Sequence, residues 1–313
     1  MNNIKRLLLL PHIQVHNANA LSSPFTIGFP AMTVWLGAVH ALQRKLNTKG
    51  YNSIKFDSVA VISHQCDLQT HKGIDDFVHS IIGTGNPLDK TGSRSAFIEE
   101  ARCHLDVSLI IEYTGIEKDD EQNLQDNITH LLNSKMKIAG GDILTFKAPQ
   151  FFKIENGNTA DLTALTRKLM PGYAIIERRD LMVEAMEAGQ DAMDALIDHL
   201  AIHHQCEKAL VEDAEKITWT SKRKSKGWIV PIATGFHGLT DLGEAKNQRD
   251  PNTPHRFAES VVTLGEFKMP HRIKSIDEML WRYQTDQTNN LYLCSQTQKT
   301  IQTEEEIENS YYE

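Results

Sequence analysis

Histidine is the residue type here most able to do chemistry, and the 313-residue chain carries 14 of them. A ring that titrates near neutral pH suits general acid–base work or metal ligation. His199 and His203 stand four apart, with His204 and Cys206 close by. On a helix that spacing suits zinc, but Leu200 follows His199 where a metalloprotease carries its general-base glutamate. His64, Cys66 and His71 have loose ligand spacing and no second half. The four cysteines, Cys66, Cys103, Cys206 and Cys294, form no CxxC pair, so neither a zinc ribbon nor a redox motif is present. No metal site is assigned.

The stretch from Gly83 to Gly92 invites a phosphate-loop reading and fails in detail. A Walker loop opening at Gly85 needs glycine and lysine where Lys90 and Thr91 stand, and a dinucleotide fingerprint opening at Gly83 needs glycine where Leu88 stands. A surface loop is the reading that remains. No Gly-x-Ser-x-Gly elbow supplies a nucleophile, and Glu99 and Glu100 are adjacent, so they do not face one site on a helix. No catalytic residue and no cofactor is assigned.

Charge is more informative. The formal net charge is −8, which argues against a simple nucleic-acid-coating protein. Yet between Trp219 and Lys274 stand ten Lys or Arg (222, 223, 224, 226, 246, 249, 256, 268, 272, 274) against five acids (241, 244, 250, 259, 266). Trp219, Trp228, Phe236, Phe257 and Trp281 lie in or next to this segment. Cations that hold phosphate and rings that stack on bases suit RNA. Solvated charged loops beside core aromatics fit the same residues, and the two readings stay open on composition alone.

The elements that must position these residues follow from periodicity. Residues 6–16 alternate as a strand, with Leu7, Leu9, Ile13 and Val15 on one face and Leu8, Leu10, His12, Gln14 and His16 on the other. Residues 32–47 have helical spacing, residues 54–63 and 104–113 are strands, and 121–138 is a helix ended by Gly140-Gly141. A strand over 142–154 completes a β-α-β-β-α-β order, the ferredoxin-like (RRM-like) unit of an α+β fold. On the third strand Asp106, Ser108, Ile110 and Glu112 fall outside the core face, without the stacking aromatics of RNA-recognition domains.

One long helix is expected over 179–207, lined by Met182, Met186, Met193, Leu196, Ile197 and Leu200. Lys222, Arg223, Lys224 and Lys226 then crowd a polar loop, followed by strands over 227–238 and 258–267, a short helix over 275–283 and a last strand near 290–294. This divides the chain into a core over 1–155, a helical segment over 156–218, a basic β-rich part over 219–300 and an acidic tail over 301–313. The apolar run Leu7–Leu10 is too short for a secretory core, no stretch reaches the roughly 20 apolar residues of a membrane span, and scattered thiols fit a reducing compartment. The expectation is a soluble, cytoplasmic protein without a membrane partner.

The wording of the sequence adds a resemblance. Leu7–Pro11, Val15–Ala20, Gly28–Pro30 and Gly37–Arg44 are similar to the opening of the small subunit family of the type I-F CRISPR (Csy) surveillance complex. Thr84–Leu88, Glu99–Leu109, Leu169–Gly172, Val230-Pro231, Arg249-Asp250, Arg256–Ser260, Pro270–Arg272 and Leu291–Cys294 follow in family order. The match covers roughly residues 6–294. The resemblance implies a repeat-associated RNA-binding (RAMP) fold on a ferredoxin-like core. It also implies a non-catalytic subunit that grips the 5′ handle of the guide RNA (crRNA). The implied partners are the large Csy subunit, as a heterodimer, the terminal backbone subunit and, through the complex, target double-stranded DNA. The helical segment becomes a partner-contact element. Asn17 and Asn19, at the polar end of the first strand, become RNA-binding residues, as do Arg249, Arg256, His271 and Arg272 in the matching blocks. Lys222, Arg223, Lys224 and Lys226 become an electrostatic RNA contact. A RAMP-family endoribonuclease acting on repeat RNA, with a histidine as general base, is the alternative.

Overall fold

The computed structural model describes residues 4–82, 88–94, 100–155, 157–211, 214–248 and 250–296. The acidic tail, residues 83–87 of the glycine-rich stretch and Arg249 lie outside them.

The chain opens with β1 (Ile4–Asn19), the hairpin β2 (Leu21–Ser23) and β3 (Thr26–Ile27), and α1 (Met32–Asn47). It continues with β4 (Lys55–Leu68), the short β5 (Thr70–His71) and β6 (Ser80–Ile81), and β7 (Arg102–Thr114). Then come α2 (Glu121–Ser134), β8 (Lys137–Ile138), β9 (Gly141–Thr145) and β10 (Gln150–Glu155). β7 lies between β4 and β1, and β1 pairs with both β9 and β10, every pairing antiparallel. α1 and α2 cover one side through Trp35, Val39, Leu42, Leu124, Ile128 and Leu131.

Two expectations for this part are corrected. β1 does not alternate through its length. The register shifts between Leu10 and Ile13, where His12 takes φ 50°. That bulge inserts one residue and reverses which face follows. Leu8, Leu10, Ile13 and Val15 therefore share the core under α1 and α2, while Leu7 and Leu9 face the other way. The expected strand over 142–154 is two strands, because Pro149 lacks the N–H that a continuous ladder needs. α2 ends at Ser134, and Ala139-Gly140, both at positive φ, turn the β8–β9 hairpin instead.

The second half adds α3 (Thr159–Lys168), β11 (Tyr173–Glu177), α4 (Arg179–Glu187), α5 (Ala192–Leu200), β12 (Ile202–Val211) and β13 (Ala214–Arg223). It ends with β14 (Trp228–Gly238), β15 (Ala258–Lys268), β16 (Trp281–Asp286) and β17 (Leu291–Gln296). Here the single long helix is corrected. Gly189 adopts φ 89° after α4, and the Asp191 carboxylate caps α5 by accepting from the Met193 N–H at 2.9 Å. His203, His204 and Cys206 then lie on β12, not on the helix that carries His199. Met182 and Leu196 pack under β14 and β15, whereas Met186, Met193 and Ile197 are exposed. The short helix over 275–283 is a 3-10 turn, Ile276–Met279, that runs into β16.

Apart from the short hairpins β2–β3 and β5–β6 and the longer hairpin β12–β13, the described strands join one antiparallel sheet, in the order β11-β15-β14-β17-β16-β4-β7-β1-β9-β8, with β10 on β1. β4 also pairs with β11 through Ile62–Ala174 and Ser63–Tyr173, so the strands beyond β4 close into a ring. Residues from both ends of the sequence thus share one sheet. α3 and the turns around Ile273–Leu280 cover its second side over Leu7, Leu9 and Ile110. Ile110, expected outside the core, is therefore fully buried; Ser108, also expected outside it, is fully buried beside His12 and His64. Trp35 donates from Nε1 to Pro30 O at 3.1 Å and Trp281 donates to Ile175 O at 2.9 Å, so each buries its ring with the polar atom satisfied. Truncating such a side chain to alanine costs about 3–5 kcal/mol.

Candidate RNA-contact surface

Beyond the reach of α3, the second side of the sheet is polar. Asp106 and Ser108 of β7 stand beside the bulged His12 of β1 and beside His64, which sits at a second register shift, between Ser63 and Gln65 of β4. The His12 and His64 rings stack at 4.1 Å between centroids, 19° apart. His12 Nδ1 lies 3.2 Å from both Asp106 carboxylate oxygens. The His12 backbone N–H donates to Ser108 Oγ at 3.0 Å, and Ser108 Oγ lies 2.7 Å from His64 Nε2. His64 Nδ1 lies 2.6 Å from Pro171 O. A carbonyl can only accept, so Nδ1 carries the proton and neutral His64 accepts from the serine hydroxyl at Nε2.

Burial lowers the pKa of His64, and the neighbouring His12 adds to that despite the Pro171 carbonyl. Gly172 allows the approach of Pro171: a Cβ there would lie 2.8 Å from His64 Nδ1 and 2.6 Å from Leu169 O.

The ligand atoms of His12, His64 and Asp106 all lie within 4.8 Å of one another. Their directions do not suit one cation. Imidazole lone pairs lie in the ring plane, and two stacked rings do not converge on a point; both nitrogens of His64 are already engaged. The cluster is organised as a hydrogen-bond relay.

Along the same face, His16 stacks on His104 at 4.4 Å. With Gln14, Gln65, Asp67 and Asp106 they line a groove of about 220 Å³. Asn17 is bonded to the lining residue His104. It takes φ 59°, its N–H donates to His104 Nδ1 at 3.2 Å, and its Oδ1 accepts from Gln69 Nε2 at 3.1 Å. Asn19 bonds locally instead. Its Oδ1 accepts from the Leu21 N–H at 3.0 Å and its Nδ2 donates to Leu21 O at 3.2 Å. That is the turn-shaping use of asparagine.

The cationic residues do not gather at this groove. Lys222 and Arg223 are exposed at the end of β13, on strand rather than loop, and Lys224 and exposed Lys226 follow in the turn. Lys224 Nζ lies 2.5 Å from Asp198 of α5, so part of that cluster's field is neutralised. Arg256 is elsewhere, with Nη1 donating to Asn290 Oδ1 at 2.8 Å in a cleft that includes Phe236 and Tyr292. His271 and Arg272 are exposed on a 3-10 turn that packs beside α3. The structure thus brings together residues that charge counting passed over. The available signal was the alternation of His12, Gln14 and His16 against His104, Asp106 and Ser108, two polar rows at strand spacing.

An antiparallel sheet with helices on both sides and a polar, histidine-lined end defines a mixed helix-and-sheet protein with a candidate binding surface. Sequence comparison gives it a family. The profile of the CRISPR-associated protein family Cas_Csy2 matches residues 8–294. The chain is 34% identical over 316 residues to the CRISPR-associated protein Csy2 of Pseudomonas aeruginosa (strain UCBPP-PA14), covering 92% of this chain and 94% of that protein. The chain belongs to the Cas_Csy2 family of CRISPR-associated proteins. Among the described residues no helix is long and apolar enough to cross a membrane.

Proposed function

We propose that this chain is a non-catalytic, cytoplasmic subunit of a type I-F CRISPR RNA-guided surveillance complex. In this reading it holds the 5′ handle of the guide RNA, pairs with the large Csy subunit as a heterodimer, and caps the backbone filament for recognition of target DNA. The carrying observation is the family match over residues 8–294. The order β4-β7-β1-β9 with α1 and α2 on one side supports a ferredoxin-like RAMP core. The groove between Gln14, His16 and His104, with its donors and acceptors at an uncovered sheet end, suits unpaired RNA.

The endoribonuclease alternative draws on His12 and His64. A general base must reach the substrate hydroxyl with a free lone pair. His64 is held at both nitrogens and Ser108 is fully buried, which argues against His64 as that base; His12, bonded to Asp106 through Nδ1, is judged by the cleavage assay. The test is reconstitution of the chain with the large subunit and guide RNA, with and without the 5′ handle, followed by crosslinking. Handle-dependent assembly, crosslinks near Gln14–Asn17 and no RNA cleavage are expected. Assembly that ignores the handle, or a discrete RNA product from the chain alone, would overturn the proposal.

A further inference from the structure

Next to the histidine groove lies a second cleft, of about 290 Å³, with a different character. Its walls are rings from four separate parts of the chain. Phe29 precedes α1, Tyr173 opens β11, Trp228 opens β14, and Phe267 lies near the end of β15. The rings hold one another: Tyr173–Trp228 centroids are 5.2 Å apart, Trp228–Phe267 5.1 Å and Phe29–Phe267 5.3 Å. Phe29 is buried, but Trp228 is 50% exposed, so much of this indole has no partner in the chain. A half-exposed indole at the mouth of an aromatic cleft offers apolar ring surface to a ligand.

One part of the lining is polar. Ser63, the last residue of β4 paired with β11, and His64, Gln65 and Cys66 just beyond it supply this part. Gln65 also lines the histidine groove, so the two depressions meet across β4. Gln65 Nε2 donates one hydrogen bond to Asp67 at 2.6 Å, its amide oxygen can act as an acceptor, and Ser63 adds a hydroxyl. None of the described lining residues is acidic, in a chain of net charge −8. The nearby Glu266, opposite Ile229, is paired with Arg178 at 2.8 Å, and exposed Lys226 stands two residues before Trp228.

A cleft walled by aromatic rings, with hydrogen-bonding groups along one side and no acidic residue in its described lining, fits a planar heterocycle with a polar edge on a phosphate-bearing chain. We infer that this cleft holds one unpaired nucleobase of the bound single-stranded RNA, stacked on Trp228 with its polar edge toward Ser63 and Gln65. The inference rests on the RNA-binding reading above and adds where and how one base is held. The backbone of that strand then runs over the Gln14–His104 groove.

The experiment is an abasic scan. Single-stranded handle RNA, with each nucleotide in turn replaced by an abasic residue, is titrated against the full chain, alone and within its complex. The chain is used as wild type, Trp228→Leu and Trp228→Phe. Trp228 is half exposed, so leucine removes the stacking face without opening the core. In the wild type, one abasic position is expected to lose affinity by roughly tenfold to a hundredfold. Trp228→Leu should abolish the penalty at that position alone, and Trp228→Phe should restore part of it. If RNA binds but no position depends on Trp228, the cleft holds no base and the inference fails while the RNA-binding reading stands. If Trp228→Leu loses the large subunit with RNA affinity unchanged, the occupant is a protein side chain and the inference fails. If neither chain nor complex binds the RNA, both readings fall together.

Discussion

Replacing Glu112 should loosen the joint between the two halves of the sequence. This carboxylate sits on β7 with a side chain 16% exposed. Lys5 of β1 lies 3.0 Å away, Arg282 of β16 2.8 Å away, and the Ser58 hydroxyl of β4 donates at 2.7 Å. Burial pushes its pKa up, but the bonds from Ser58 and Lys5 and the charges of Lys5 and Arg282 outweigh it and leave the pKa below the usual glutamate value. Removing one member of a fully buried ion pair costs about 3–5 kcal/mol, while an exposed pair contributes about 0–1 kcal/mol. Asp277 remains 2.8 Å from Lys5 and 3.7 Å from Arg282, so the stranded cations keep one counter-charge. Glu112→Gln should therefore cost about 2 kcal/mol near pH 7. The depressed pKa sets the sign of the pH effect: the contribution is present above the ordinary value of about 4.3 and is lost as pH falls through the lower folded value. Urea titrations of wild type and variant from pH 3 to pH 7 measure this, and their difference should shrink toward the acid end. A variant within about 0.5 kcal/mol of wild type at pH 7, in line with an exposed pair, would refute the reasoning.

Four further outcomes are expected. Because the folded pKa of His64 is lowered chiefly by burial, its contribution is present above about pH 6.5 and is lost as pH falls through the folded value; thermal melts from pH 5 to pH 8 should show a steeper acid loss in wild type than in His64→Ala. Gly172→Ala should push Pro171 off His64, lower stability by about 1–3 kcal/mol and move the His64 titration seen by NMR toward that of a free ring. Asn19→Ala should cost about 1 kcal/mol in denaturant titrations, and Asn19→Asp, which keeps the acceptor for the Leu21 N–H, should recover most of it. Arg256→Ala should lower the salt slope of RNA binding by about one unit and weaken different handle sequences equally; a changed base preference at constant slope would show that Arg256 reads bases.

Sequence pattern reached furthest where one face is buried by one neighbour. α1 runs from Met32 to Asn47 as its spacing indicates, because Trp35, Leu42 and Leu46 all meet the same side of the sheet. It failed where a single residue changes the phase. Nothing in Leu10-Pro11-His12-Ile13 announces which residue is bulged, yet His12 at positive φ decides that Leu10 and Ile13 share a core. It failed again where both faces are covered, since Ile110 reads as an outward position until α3 and the Ile273–Leu280 turns are in place. The relay of His12, His64, Ser108 and Asp106 joins residues up to 96 positions apart, and only the strand order makes them neighbours.

The charge pattern was legible as a count and misleading as a map. Acidic residues that give this chain its net charge of −8 are in several cases committed to structural pairs: Glu112 with Lys5 and Arg282, Glu266 with Arg178, Asp198 with Lys224. Each pair cancels locally, so neither the overall acidity nor the density of cations between Trp219 and Lys274 says where a phosphate chain would lie. What remains informative is the absence of acid from the described lining of the aromatic cleft, beside a groove whose two acids, Asp67 and Asp106, face Gln65 and His12. A strand of RNA crossing that surface would meet donors, acceptors and a half-exposed indole before it met an unshielded carboxylate. Recognition by shape and stacking, with cations supplying attraction from a distance, is the mode that such a surface favours.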